Sequence, residues 1–342
     1  CQRRSSRLVV TIMICARYLL RMLLAITVLM SPALAGSKVS SQTIYTGMCD
    51  ASGGVALDKK HFAVANDEDS QIRIYRRDVG GDPVETVDLS GFLRLDVGNP
   101  ETDLEAVARI GDRVFWLGSH GRSTSGRERS NRHRFFATDV ERSPHGVGLR
   151  PVGAPYLTLV EDLIRQPQLE FCHLAEAAQL PSKAPNGLNI EGLAATPEKT
   201  LLIGFRNPLP KGQAALVPLL NPDDVVMGRP ARYGQAILLD LDGQGIRDIA
   251  QSEGKYLIIG GSALGGGESR LYRWAGGTAK PKWLWNIHLE KLNPEAIIIY
   301  PDRGFGEVQI LSDDGKRHVE GQRCKDLPEA AQRFFRSVWV RP

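Results

Sequence analysis

No Cys-x-x-Cys pair occurs anywhere in the 342 residues, so thiol redox and zinc chemistry have no support in the sequence. No Gly-x-Ser-x-Gly elbow occurs either, which leaves a serine hydrolase of that type unsupported. Gly265-Gly266-Gly267 is not followed by a helical pattern, so it reads as a loop and not as a phosphate cradle. An unbroken run of about 20 apolar residues is missing. The apolar stretch from Leu8 onward is interrupted by Arg17 and Arg21, which argues against a membrane anchor. At 42% hydrophobic and 24% charged the composition is that of a globular protein, neither disordered nor collagen-like.

Acidic residues are absent from positions 1–35, which carry five arginines. A basic start, the short apolar run Met22 to Met30 and an Ala-x-Ala end at Ala33-Leu34-Ala35 predict a secretory signal peptide over 1–35, with residues 36–342 as one domain. The chain opens on Cys1 and not Met, so its start is expected to be truncated or misassigned. Export implies a periplasmic or secreted protein with no stable membrane insertion after cleavage. The whole chain carries +4, but without those five arginines 38 basic residues face 39 acidic ones. The basic balance belongs to the leader, so nucleic acid is not an expected partner. Cys49, Cys172 and Cys324 remain, an odd number for an oxidising compartment. The expectation is a Cys172–Cys324 disulfide, with Cys49 buried and free against an inner strand.

One sequence element recurs. Asn189-Ile190-Glu191-Gly192-Leu193-Ala194 leads, after a turn, into Thr200 to Arg206. Asp103-Leu104-Glu105-Ala106 leads in the same way into Val114 to His120, and Asn293-Pro294-Glu295-Ala296 into Val308 to Asp314. Two weaker copies, around Ser52 and Arg247, keep the rhythm and lose the Glu. The signature positions Ser52, Glu105, Glu191, Arg247 and Glu295 are separated by 53, 86, 56 and 48 residues. A period of that size in strand-forming sequence predicts an array or propeller. Alternating segments such as Gln71-Ile72-Arg73-Ile74-Tyr75-Arg76 supply about four short strands per repeat. The fold class is therefore all-β, a β-propeller of five blades, or six if the insertion hides a degenerate repeat. A small helical insertion is expected at about 155–182, where Leu157, Val160 and Ile164 fall at helical spacing. Gln235 to Asp240 reads as the third strand of repeat three, and Pro328 to Phe335 as a helix with Pro in its first turn. A ring must close, so Thr43-Ile44-Tyr45 is expected to complete the blade begun by the last repeat.

The innermost strand of a propeller blade starts at the central channel, so the five signature residues should form a ring at one mouth. Three converging carboxylates repel one another and need a positive partner. A hard cation such as Ca²⁺ would suit Glu105, Glu191, Glu295 and Asn66 or Asp67 as ligands. Alternatively, Arg247 neutralises its neighbours through its planar fork and plugs the channel. In the loop from Ser119 to His133, His120 and Arg122 can bind an anion, or belong to a solvated basic turn.

Several segments together resemble a bacterial family known as domain of unknown function 3616. They are Cys49-Asp50-Ala51-Ser52-Gly53, Asn66-Asp67-Glu68-Asp69, Asp103-Leu104-Glu105-Ala106, Ser119-His120-Gly121-Arg122, Asn189-Ile190-Glu191-Gly192-Leu193 and Gly204-Phe205-Arg206-Asn207-Pro208. The resemblance covers about residues 45–320 and implies a propeller-like protein without an assigned activity. The repeated Glu-Gly-Leu element is more loosely similar to phytase-like esterase domains and to calcium-binding propellers of the lactonase type. That similarity implies a metal-assisted phosphoesterase or lactonase acting on a small anionic ligand at the channel mouth. Glu105, Glu191 and Glu295 would be metal ligands, Arg206 and Arg122 would bind the anion, and His120 would be the acid/base. Ser52 and Arg247 depart from the repeated Glu. The alternative is a non-catalytic ligand- or protein-binding scaffold whose channel is plugged by Glu and Arg.

Overall fold

The computed structural model describes residues 39–96, 101–144 and 146–342. The expected signal peptide lies outside the described residues.

β1 (Thr43–Thr46) belongs to a different sheet from the strands that follow it in sequence. Blade 1 is β2 (Ala51–Ala56), β3 (His61–Asn66), β4 (Gln71–Arg76) and β5 (Glu85–Asp88). Blade 2 is β6 (Leu104–Ile110), β7 (Arg113–Gly118), β8 (Phe135–Ser143) and β9 (Gly146–Tyr156). Blade 3 is β10 (Asn189–Ala195), β11 (Leu201–Asn207), β12 (Ala214–Leu219) and β13 (Ile237–Leu239). Blade 4 is β14 (Gly245–Ser252), β15 (Lys255–Gly261), β16 (Arg270–Trp274) and β17 (Lys282–Trp283). Blade 5 opens with β18 (Pro294–Ile298) and β19 (Val308–Ser312). A two-stranded hairpin, β20 (His318–Val319) and β21 (Gln322–Arg323), interrupts it before β22 (Phe334–Val340).

Every blade is an antiparallel four-stranded sheet, and blade 5 has the order β1-β22-β19-β18. The N-terminal strand thus completes the last blade, with Thr43 opposite Ser337 and Thr46 opposite Phe334. The ring is five-bladed. No sixth blade hides in the insertion, whose described helices are all short: Leu159–Ile164, the 3₁₀ turn Pro167–Cys172, and Leu174–Ala177.

Five hydrophobic clusters fill the spaces between neighbouring blades. Ala63, Ile72, Trp116 and Phe136 join blades 1 and 2, and Leu216, Ile246, Tyr256 and Trp274 join blades 3 and 4. The helical insertion extends the cluster between blades 2 and 3, where Leu159, Leu163, Leu169 and Cys172 pack with Phe115, Leu193 and Phe205. Side chains on one face of each sheet meet the next sheet, as in a β-sandwich, so no single central core is needed.

Glycine is required where blades come closest. Gly192 sits opposite Gly204 in the β10–β11 ladder. A Cβ on Gly192 would lie 2.7 Å from Ile246 Cγ2 of the next blade and 3.1 Å from the Gly204 Cα. The Glu-Gly-Leu signature thus combines a channel residue with a contact site for the neighbouring blade.

Three expectations are corrected. The disulfide is Cys49–Cys324, with Cα atoms 5.9 Å apart, and Cys172 is the buried free thiol. Cys172 belongs to the insertion, packed among Leu159 and Leu169, whereas Cys324 lies near the start of blade 1. Pro328 to Phe335 is not a helix. It holds one 3₁₀ turn, Ala330–Gln332, and the start of β22. Finally, the third strand of blade 3 is β12, and Ile237–Leu239 is the outermost strand. Pro218 within β12 is tolerated because its backbone faces outward, its carbonyl accepting from Gly234 N. The β13 pairing covers only Ala214 to Leu216, so no ladder bond is lost at Pro218.

Candidate functional site

The five signature residues share one structural property. The β2–β3 register shifts between Ala51 and Gly53, and the β6–β7 register between Leu104 and Ala106. Matching shifts fall between Ile190 and Gly192, Ile246 and Asp248, and Pro294 and Ala296. The residue inside each bulge is Ser52, Glu105, Glu191, Arg247 or Glu295. A bulge leaves one residue out of the ladder and re-aims its side chain. Here Glu105, Glu191, Arg247 and Glu295 all line one cavity of about 580 Å³. Ser52 instead donates its hydroxyl to the Leu104 carbonyl, tying blade 1 to blade 2.

One side of this cavity is charge-compensated. Arg206 Nη1 donates to Glu191 Oε1 at 2.6 Å, and Arg206 Nε donates to the Ser262 carbonyl at 2.9 Å. Arg247 pairs with Glu295 through Nη2, and its Nε lies 3.8 Å from Glu191 Oε2. Asn189 Nδ2 donates to Glu191 at 2.7 Å, and Asn293 Nδ2 to Glu295 at 3.3 Å. Glu191, Arg206, Arg247 and Glu295 are all less than 10% exposed. Burial and the nearby Arg206 charge pull Arg247 below the usual guanidinium range, yet the group is so basic that it stays charged. Burial also opposes the Arg206 charge, but Glu191 outweighs it and raises the group. Asp314, 2% exposed, is held by Arg336, whose Nε donates at 2.8 Å.

The other side is acidic. Asp67 shares one cluster with Asp50 and Glu68 and another with Asp103 and Glu105. Within each cluster the carboxylate oxygens lie within 4.8 Å of one another. Burial, with Asp313 and Glu68 nearby, pushes Asp50 up to about 7. Burial and the neighbouring carboxylates likewise raise Asp67 and Glu105 well above the carboxylate range. Asp103 is raised by burial too, against Arg132 and the Ser119 hydroxyl. Lys325 pairs with Glu68, and Arg132 with Asp103 and Glu101. These clusters can coordinate a metal ion, and all their donors are hard oxygens.

Sequence reasoning named Asp67, Glu105, Glu191, Arg206 and Glu295, and the structure places all five around the cavity. Asn66 lies beside it, its amide bonded to Asp69. His120 and Arg122 do not line it. His120 is 2% exposed and stacks on His133 at 5.3 Å. Its Nδ1 lies 2.8 Å from the Gly118 carbonyl, and burial pushes the ring down to about 3. Arg122 ties its loop to the insertion through the Ala178 carbonyl and Gln179. Asp50 and Asp103 were missed as site residues, although the repeat contained the signal. Each stands two residues before a signature position, where blades 3 and 5 have Asn189 and Asn293. Asn donates to its Glu, whereas Asp adds a second negative charge.

Residues 159–298 match the family model described as "Protein of unknown function (DUF3616)". The match covers 140 of the 342 residues, from the helical insertion into blade 5. No curated protein matches the chain. Among solved structures, the PQQ-bound aldose sugar dehydrogenase from Streptomyces coelicolor is 10% identical, over 87% of this chain and 98% of that one, with a TM-score of 0.41. A β-1,3-galactosidase bound to galactodeoxynojirimycin is 12% identical, over 85% and 90%, with a TM-score of 0.45. A luciferin-regenerating enzyme is 6% identical, over 88% and 95%, with a TM-score of 0.40. At these identities nothing about activity transfers to this chain.

Proposed function

We propose that this protein is an exported, non-catalytic binding module, a scaffold that holds a small anionic ligand at the mouth of a plugged channel. The observation that carries the reading is Arg247 set between Glu191 and Glu295. Two of the three ring carboxylates already have a protein counterion, so the Glu191–Glu295 part of the ring has no need of a catalytic metal. The anionic preference draws support from the rim. Lys183, Lys291, Lys316 and Arg317 are exposed around the cavity, and none pairs with a carboxylate among the described residues. Exposed cationic groups at the edge of a cavity attract anions. The Cys49–Cys324 disulfide supports a periplasmic or secreted location.

A second reading, a metal-assisted phosphoesterase or lactonase, is favoured by the acidic clusters around Asp67. A Ca²⁺ ion there would polarise a phosphoryl or carbonyl oxygen and lower the pKa of bound water. One experiment separates the two readings. The protein is titrated with inorganic phosphate and citrate by calorimetry, and assayed with p-nitrophenyl phosphate and a simple lactone in the presence of Ca²⁺. Anion binding weakened by Lys316→Ala and Arg317→Ala, without turnover, supports the binding module. Turnover abolished by Asp67→Asn replaces it with the hydrolase. Neither binding nor turnover removes the small-anion reading altogether.

A further inference from the structure

The compensated part of the ring and the acid-rich part of the cavity are different places, and Glu105 is the ring residue that belongs to the second. Glu191 and Glu295 are matched by Arg206 and Arg247, whereas the first two blades contribute carboxylates with no such match. Asp50 is 5% exposed and lines the cavity, yet its carboxylate makes no hydrogen bond or ion pair among the described residues. Asp67 Oδ1 is sealed from solvent and also lacks a hydrogen-bond partner. The Glu105 carboxylate receives no donor among the described residues. Its Asn-equivalent is Asp103, already engaged by Ser119 and Arg132. A buried carboxylate without a partner forfeits its solvation and gains nothing in return.

The backbone around this spot is shaped to keep the carboxylates there. Gly315 passes so close to Asp50 that a Cβ would lie 1.7 Å from its Oδ1. The bulge at Glu105 turns that side chain out of the β6–β7 ladder toward the cavity. Asp67 follows β3 directly, where Asn66 is fixed by Asp69. Three elements of two blades therefore deliver three under-compensated carboxylates to one corner.

We propose that a hard divalent cation binds at Asp67, bracketed by Asp50 and Glu105, and that this site is separate from the Glu191–Arg247–Glu295 plug. The donors are all carboxylate oxygens, without imidazole or thiolate, which selects Ca²⁺, Mg²⁺ or Mn²⁺ over Zn²⁺ or Cu²⁺. Asp103 and Glu68 flank the corner but are held by Arg132 and Lys325. The site does not depend on the protein being a binding module, because it follows from the local charge imbalance alone.

The test uses the full chain, stripped with EDTA, with melting temperature read during addition of CaCl₂, MgCl₂ or MnCl₂. At about a hundredfold excess over Kd, one of these ions should raise the melting temperature by roughly 5–10 °C. Asp67→Asn should abolish that rise while melting no lower than the parent in EDTA, since it relieves repulsion among the acids. Glu105→Gln should weaken the response if Asp67→Asn does not fold. Glu191→Gln should leave the ion response in place. No rise with any of the three ions overturns the site. So does a rise that survives Asp67→Asn and Glu105→Gln, or one that is lost only in Glu191→Gln.

Discussion

Cys49 and Cys324 are 275 positions apart in the chain and bonded to each other, and the residues that follow them, Asp50 and Lys325, line the same cavity. The disulfide therefore closes the ring a second time, beside the β1–β22 pairing. It also fixes the segment that carries Lys325 over blade 1.

Reduction or Cys324→Ser should destabilise the protein by about 2–5 kcal/mol, because a long loop regains its freedom in the unfolded chain. The check is the denaturation midpoint with and without dithiothreitol. Cys172→Ser should leave the dithiothreitol effect intact, and non-reducing peptide mapping should return the Cys49–Cys324 pair.

Arg247→Met should cost about 3–5 kcal/mol, since it leaves Glu191 and Glu295 buried beside each other with Arg206 alone to balance them. Adding Glu191→Gln and Glu295→Gln should recover much of that loss. Urea unfolding of the single and triple variants measures it. A single variant as stable as the parent would remove the plug.

Asp248 offers a pH signature. It is 4% exposed and lines a pocket together with Val107, Leu193 and Ile297. Its two oxygens accept from Ile249 N at 2.8 Å and Ile297 N at 2.6 Å. Burial outweighs those two bonds and raises the group to about 8, from 3.8. Between those values the folded state keeps a proton that the unfolded chain has lost. This group's contribution to stability is thus fully present below about pH 4 and falls as pH rises towards 8. The slope it adds is at most about 1.4 kcal/mol per pH unit. Asp248→Asn should flatten stability against pH across that window by up to this amount.

Gly192→Ala should cost about 1–3 kcal/mol through overpacking against Ile246. Combined with Ile246→Ala it should cost less than the two changes added together, because the second makes room for the new methyl. Guanidinium unfolding of the four-member cycle checks the coupling.

The repeat register carried much of this architecture. Glu105, Glu191 and Glu295, read as strand starts, are the bulged residues of three inner strands, and Thr43 to Tyr45 lies in the strand that completes blade 5. Periodic sequence marks inner strands well because every blade repeats the same packing. The cysteine pairing was not readable, since Cys172 differs from Cys49 only in where the insertion folds. β12 was obscured by Pro218, whose outward backbone is visible only in the sheet. His120 reads as an acid/base by residue type, but its side chain is stacked on His133 away from the cavity. Asp50 and Asp103 required comparing the residue two before each signature position, a step from single residues to matched pairs.

Each ring side chain is presented by a residue that its strand does not count in pairing. Replacing one of them changes the charge of the mouth without moving a ladder bond. Four of the five bulges set the charge of the mouth, here Glu, Glu, Arg and Glu, the last three acting together through Arg247, while the remaining bulge carries Ser52. A propeller of this kind can acquire a different ligand one blade at a time, while all five sheets keep their register.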